Sequence, residues 1–314
     1  MPPTSPLTTV LLAGATGDLG GRLARALLDR GAVVRALTRP GSDPAAAARV
    51  RGLGADVVVA DYADPAALQE TCAGADVVVS AVSGLRPVVV DAQSRLLDAA
   101  VAAGVPRFVP SDFSADHRTL PPGTNRNLEL RREFMLRLDA APIRATSVLG
   151  GAFADMLTGQ APLVLSDRGR VLYWGDADQP LDFTTRDEVA GYTADAVLDA
   201  GAPRFLQIAG DSVSSRDLAE TMTRLTGRRF RLLYAGGVPL LRAMAGIGRR
   251  IAPAPGELYP AWQGMQYLDS MFSGDAKLHL LANDRYGPRS WTTAEEVLAA
   301  HLAGGGAGGD RAAA

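Results

Sequence analysis

Through its first half the chain alternates short β-branched runs with Ala- and Leu-rich helical patterns. Strands are predicted at residues 9–13, 33–38, 56–60, 76–81, 107–110 and 144–148. These are near-continuous apolar runs, the pattern of strands covered on both faces of a parallel sheet. Between the first two strands a helix is predicted over 18–30. Leu19, Leu23, Ala26 and Leu27 mark one face at i, i+4, i+7 and i+8, and Gly31 stops it. Residues 45–52, 65–71, 87–103 and 127–140 read as the remaining crossover helices.

After about Gly150 the rhythm changes. Residues 163–184 hold short polar-apolar runs with turn residues, read as a β excursion with loops. A helix (186–198), a strand (205–209) and a helix (216–225) follow, and these elements are expected to return one βα unit to the main sheet. Another short strand is read at 230–234. Residues 237–272 read as mostly helical, broken at Pro253 and Pro255, and residues 304–314 as a flexible tail. The expected fold is α/β, a Rossmann-type doubly wound parallel sheet over 1–150. A smaller substrate or cap region follows over 151–303.

Directly after the first strand stands Gly14-Ala15-Thr16-Gly17-Asp18-Leu19-Gly20. Glycines at the first, fourth and seventh positions permit a sharp strand-to-helix turn. They also permit backbone N–H groups to approach a pyrophosphate where the helix dipole favours negative charge. The strand before and the amphipathic helix after give this pattern its meaning. The second strand ends at Thr38-Arg39. A site for NAD usually offers an acid there to the ribose hydroxyls, and a site for NADP offers an arginine to the 2′-phosphate. Arg39 stands 25 positions after Gly14 with no acid at the strand end, so NADP(H) is the expected cofactor.

Composition narrows the functional classes. Of the 314 residues 47% are hydrophobic and 21% charged, the balance of a globular chain. The formal net charge is −2 without a basic block, so no nucleic-acid partner is expected. No run of about 18 apolar residues occurs, so no membrane span is expected either. The opening Met1-Pro2-Pro3-Thr4-Ser5-Pro6 lacks the basic and apolar regions of a signal peptide. Cys72 is the single cysteine, which precludes an internal disulfide and fits a reducing, cytoplasmic setting. His117, His279 and His301 lie far apart and form no metal-ligand spacing. Lys277 is the single lysine, so a mechanism that needs that side chain has one residue to use.

The turn, Arg39, Asp61 after the third strand and Phe108-Val109-Pro110-Ser111-Asp112-Phe113 at the fifth together resemble a known group. So do Arg131-Arg132, Gly151-Ala152-Phe153, Trp174-Gly175-Asp176 and Asp182-Phe183-Thr184. The chain is similar to the atypical short-chain dehydrogenase/reductases of the NmrA-like and isoflavone-reductase-like kind. That resemblance implies that Ser111, Phe113 and Phe153 border a nicotinamide. The cofactor-binding candidates are therefore Gly14, Thr16, Gly17, Asp18, Leu19, Gly20, Arg39, Asp61, Ala81 and Val82, together with those three. Ordinary members of the wider group use a tyrosine with a lysine four residues later. Ser273 stands four positions before Lys277, so that pair is absent. Isoflavone-reductase-like enzymes place a lysine four residues before the Arg-Arg pair; here that position is Asn127. An amide cannot serve as general acid, although its NH₂ can hydrogen-bond a substrate oxygen.

The candidates for the chemistry are Asn127, Ser111, Asp112, Tyr173 and His117. Asn127 reads as a substrate-orienting amide or as part of a helix start. Asp112 reads as a buried acid at the carboxyl edge of the sheet, or as a cap or ion-pair partner. His117 titrates in a useful range but stands in what reads as a surface loop. Tyr173 reads as a hydroxyl projecting into a cleft or as a core residue. Trp262, Met265, Leu268, Met271 and Phe272 form an apolar stripe that either walls a pocket or packs as core. The implied function is an NADPH-dependent reductase of a small, largely apolar molecule bearing a keto or enone group. The alternatives are a non-catalytic NADP(H) sensor and a cofactor-assisted non-redox enzyme.

Overall fold

The computed structural model describes residues 7–159 and 163–304. Along the chain run β1 (Thr9–Ala13), α1 (Asp18–Asp29), β2 (Val33–Thr38), α2 (Pro44–Gly52), β3 (Asp56–Val59), α3 (Pro65–Cys72) and β4 (Val77–Ser80). They are followed by α4 (Gln93–Ala102), β5 (Arg107–Val109), α5 (Arg126–Ala140), β6 (Arg144–Ala145), β7 (Ser147–Leu149) and β8 (Ala152–Phe153). Next come β9 (Val164–Leu165), β10 (Arg170–Tyr173), β11 (Leu181–Thr184), α6 (Arg186–Leu198), β12 (Phe205–Gln207) and β13 (Asp211–Val213). The last elements are α7 (Ser215–Thr226), β14 (Arg231–Tyr234), α8 (Val238–Ile251), α9 (Ala261–Phe272) and α10 (Ala294–Ala303).

Two compact units share these elements. One holds the residues up to Phe113 with Asn127–Leu149 and Arg186–Leu206. The other holds Ser114–Arg126, Gly150–Thr185 and the residues from Gln207 on. The tail read from 304 onward lies, from 305, outside the described residues.

The first unit is built on a six-stranded sheet of order β3-β2-β1-β4-β5-β6, parallel at every pairing. Leu11 sits between Arg35 and Val78 in register, so β1 is central. The order reverses beside it, and the carboxyl ends of β1 and β4 flank the switch point where such sheets take ligands. Leu11, Val78, Leu96, Phe108 and Phe134 are fully buried in one core cluster. Helix starts are fixed chemically. Asp43 and Asp64 each accept amide hydrogens of the helix that follows, with proline at the first helical position in both cases.

The structure departs from the sequence reading at the edge of this sheet and at one helix start. The helix read over 87–103 begins with a wide π turn over Pro87–Ala92 before α4 proper. The run 144–148 divides: β6 joins the six-stranded sheet, whereas β7 pairs with β12 in a separate two-stranded ladder. The strand of the βα unit around 205 pairs with β7, one residue beyond β6, and not with β6 itself.

The second unit holds two three-stranded sheets, β14-β10-β9 and β13-β11-β8. Its core gathers Trp174, Phe183, Leu218, Met222, Leu268 and Phe272. The apolar stripe of α9 thus packs as core, with Met265 and Met271 half-buried against the same cluster. Helix α10 was not foreseen, although Thr293 and Glu296 form the reciprocal cap that its sequence spells. Among the described residues no helix is long and apolar enough to cross a membrane.

Candidate functional site

The turn after β1 is where glycine is sterically required. Gly14 has φ +84°, and a Cβ there would lie 2.7 Å from the Ala81 carbonyl carbon and oxygen and 3.0 Å from the Val82 nitrogen. A Cβ on Gly20 would lie 2.0 Å from the Gly14 oxygen. The end of β1, the end of β4 and the first turn of α1 therefore meet backbone against backbone. Gly17 caps α1 without a side chain, and its N–H donates to the Gly14 oxygen at 3.1 Å. Gly17 offers no side-chain cap, so the first amides of α1 are open to an anion.

The Asp18 side chain is engaged within the protein. Its carboxylate accepts from Arg22 at 2.8 Å and pairs with Arg186 at 3.3 Å, while Arg22 also reaches Asp187 at 2.6 Å. This cluster ties α1 to α6 and leaves Asp18 only its backbone N–H for a phosphate. Beside the turn opens a groove of about 670 Å³, lined by Thr16, Gly17 and Asp18, by Arg22 and Arg25 of α1 and by Arg49 of α2. Leu19, the next turn residue, is half-buried in α1.

At the end of β2 the side chain of Arg39 is exposed, and its backbone N–H donates to the Ser42 hydroxyl. Burial pushes the Tyr62 hydroxyl up to about 12, against the opposing pull of the Arg39 charge, so that cation stands near the β3 end. Asp61, exposed there, accepts from the Ala63 N–H at 2.9 Å and shapes the turn before α3.

At the end of β5 the side chains are more committed than the sequence indicated. The Ser111 hydroxyl donates to the Val82 carbonyl at 2.6 Å, and the Ser111 N–H donates to Gln93 Oε1 at 3.0 Å. Gln93, almost wholly buried, also donates to Val89 and so splices the π turn to the β5 edge. Sequence reading passed it over, because a glutamine inside a helix carries no signal of its own.

Asp112 is completely buried and accepts from the Ser147 hydroxyl at 2.7 Å. Ser147 Oγ in turn accepts from Arg204, which also reaches Asp139 at 2.8 Å. A guanidinium does not release its proton, so this chain is an electrostatic tether rather than a relay to solvent. Phe113 is buried in the same unit, and Asn127, also buried, is the second residue of α5.

In the second unit His117 is fully buried, which corrects its placement on a surface loop. Its neighbour Asp116 accepts from Arg118 at 2.6 Å and from Gln207 at 2.8 Å. Burial acts to raise the Asp116 carboxyl, but Arg118 outweighs it and holds the group below the usual carboxylate range. Tyr173 is half-buried, its ring 5.3 Å from that of Tyr234. Phe153 is half-buried on β8, paired in register with Thr184. Gly151 before it has φ +69°, and a Cβ there would lie 2.5 Å from the Asp182 oxygen. Asp182 is ion-paired with Lys277 and accepts from the Leu278 N–H, so the single lysine is engaged in a structural contact.

The fold and the turn define a doubly wound α/β protein with a dinucleotide-type phosphate cradle at its switch point. The chain belongs to the NmrA-like family, which matches residues 6–254. It is 32% identical over 242 residues to pinoresinol reductase 1 of Arabidopsis thaliana, covering 70% of this chain and 75% of that protein. To the isoflavone reductase homolog IRL of Zea mays it is 32% identical over 244 residues, with 72% and 76% covered. Among solved structures, AtPrR2 with NADP+ and (+)pinoresinol superposes with a TM-score of 0.80 at 24% identity, covering 95% of this chain and 99% of that one. The leucoanthocyanidin reductase–NADPH complex from Vitis vinifera superposes with a TM-score of 0.77 at 21% identity, covering 94% and 99%. At those identities the superpositions establish the fold.

Proposed function

We propose that this protein is an NADPH-dependent reductase of a small, largely apolar organic molecule, acting on a keto or enone group of natural-product type. The observation that carries the reading is the cradle at Gly14, Gly17 and Gly20, closed to any Cβ at two of its three glycines and followed by an uncapped helix. The family and the reductase relatives support it. The chain is an oxidoreductase of this family, and its cofactor is NADP(H).

The residues present fit that cofactor. The turn amides of Gly14–Gly20 would hold the pyrophosphate, the N-terminus of α1 would supply positive potential, and Arg39 would take the 2′-phosphate. Ala81 and Val82 close the cradle from β4, and Ser111 fixes Val82 by its hydroxyl. By family resemblance the nicotinamide would lie beside Phe113. When bound, NADPH supplies a hydride to the electrophilic carbon of the substrate. The electron pair displaced onto the acceptor oxygen then needs a hydrogen-bond donor and finally a proton.

The Asn127 amide is assigned to orient that oxygen. It replaces a charged lysine with a neutral donor, so the proton comes from another source. Asp112 is tethered to Ser147, and the Tyr173 ring lies beside that of Tyr234. The proton then comes from Asp112, His117 or water.

The test is to follow NADPH absorbance with a panel of quinones, enones and flavonoids. Oxidation by a panel member that is abolished in Gly17→Val supports the reductase. Tight NADPH binding with no turnover across the panel would instead give the sensor, a reading that the amide at position 127 favours. Arg39→Ala is expected to weaken NADPH by about tenfold or more with little effect on NADH. Equal losses would contradict the 2′-phosphate assignment.

A further inference from the structure

The last rung between β4 and β5 sets Val79 opposite Val109. Beyond it the two strands no longer pair, and side chains take over what the ladder did. Ser111 is 4% exposed, so its N–H has no water to turn to. Gln93, 1% exposed at the start of α4, supplies the acceptor at 3.0 Å.

The same amide completes the wide turn that precedes it. In an α-helix the Gln93 N–H would meet the Val89 carbonyl, four residues back. In the π turn it donates to Val88 and Val90 instead, and the Gln93 side chain supplies the donor to Val89 at 2.8 Å. One side chain thus closes the π turn with its NH₂ and holds the β5 exit with its oxygen. Packing alone does not call for an amide here, since an apolar side chain of that size would fill the space at a lower desolvation cost.

What Gln93 holds leads to the site. The Ser111 hydroxyl donates to the Val82 carbonyl at 2.6 Å, on the β4 side of the strand. On the β6 side the Asp112 carboxylate is held by Ser147, and the Asp112 N–H closes a tight turn on the Pro110 carbonyl at 2.9 Å. Two consecutive residues are fixed in opposite directions, and Phe113 follows directly. The pyrophosphate end has a separate anchor: the Ala81 N–H donates to the Ala13 carbonyl at 2.8 Å, without recourse to Gln93.

We propose that Gln93 is a positioning residue for the nicotinamide half of the cofactor. Acting through Ser111, it sets the β5 exit against the β4 exit and leaves the adenosine half, at the glycine turn and Arg39, untouched. This rests on the reading of the site as one for NADP(H), with the nicotinamide beside Phe113.

Titration calorimetry with NADPH and with adenosine 2′,5′-bisphosphate, which lacks the nicotinamide, separates the two halves. Gln93→Met removes both hydrogen bonds at nearly constant volume and is expected to weaken NADPH about tenfold while changing the bisphosphate by less than about twofold. Gln93→Glu keeps an acceptor for the Ser111 N–H in either protonation state, so its NADPH affinity stays within about threefold of the wild type whatever its Tm. Should Gln93→Met not fold, the Glu variant is compared with Ser111→Ala, which cuts the same chain one link on and gives the tenfold split. Where the double variant folds, it loses no more NADPH affinity than the worse single one. Equal weakening of both ligands in Gln93→Met makes the amide merely structural and overturns the proposal. So does a Glu variant that binds NADPH as poorly as Met or Ser111→Ala. A wild-type chain that binds neither ligand removes the cofactor reading itself; one that binds both, with no split in any of these variants, removes the role of Gln93 alone.

Discussion

Two adjacent glycines in α1 should respond to the same substitution with opposite signs. A Cβ on Gly20 would lie 2.0 Å from the Gly14 oxygen, 2.7 Å from its carbonyl carbon and 2.9 Å from the Ala15 Cα, all of them backbone atoms. Ordinary contact begins near 3.4 Å, so in Gly20→Ala the helix start must retreat from the turn by about 1.4 Å. No side chain can rotate out of the way. The cost is that of overpacking a tight site, about 1–3 kcal/mol. At Gly21 the added Cβ would meet the Ala15 oxygen at 3.5 Å, an ordinary contact. There Gly21→Ala gains the helix preference of alanine, about 0.5–1 kcal/mol.

Calorimetric Tm should therefore fall in the first variant and rise in the second, separated by roughly 1.5 kcal/mol or more in free energy. Displacement of the amides also weakens NADPH in Gly20→Ala by about tenfold or more, read by titration calorimetry. The Gly21 variant binds as the wild type does. If Gly20→Ala proves as stable as Gly21→Ala, α1 and the turn do not pack through Gly20, and the cradle is wrongly drawn.

Other outcomes follow from the buried groups. Ser147→Ala removes a donor from the buried Asp112 carboxylate and should cost about 1–3 kcal/mol in urea unfolding; no loss would mean that the tether is idle. The Asp116 carboxyl lies below its ordinary 3.8 in the folded chain, so its pairing with Arg118 stabilises the protein at neutral pH. That contribution is lost as the pH falls below about 4, and Arg118→Ala should flatten this part of the stability profile. Cys72 is fully buried, and burial pushes its thiol up to about 11. Iodoacetamide should leave the folded protein unlabelled at neutral pH and label it on unfolding; rapid labelling of the native chain would contradict the packing of α3.

Much of the first unit was legible because its information is local. Strands β1 and β2 fall where the apolar runs placed them, and Asp43-Pro44 and Asp64-Pro65 spell helix starts in adjacent residues. The phosphate turn is equally local: spacing, preceding strand and following helix are all consecutive. What the amino-acid order determined by itself was thus the βα rhythm, the glycine turn, the arginine at the end of β2 and the absence of a lysine at position 127.

The tertiary structure decided which polar side chains are already engaged. The tether from Asp112 through Ser147 to Arg204 joins residues far apart in sequence, as does the pairing of Ser111 with Val82. Burial of His117, the split of the run at 144–148 between two ladders and the core packing of the α9 stripe are of the same kind. Periodicity reports that a helix has an apolar face, but not what that face meets. One apolar face of α9 is core, while the exposed one of α8 stands in solvent, and only the fold tells the two apart.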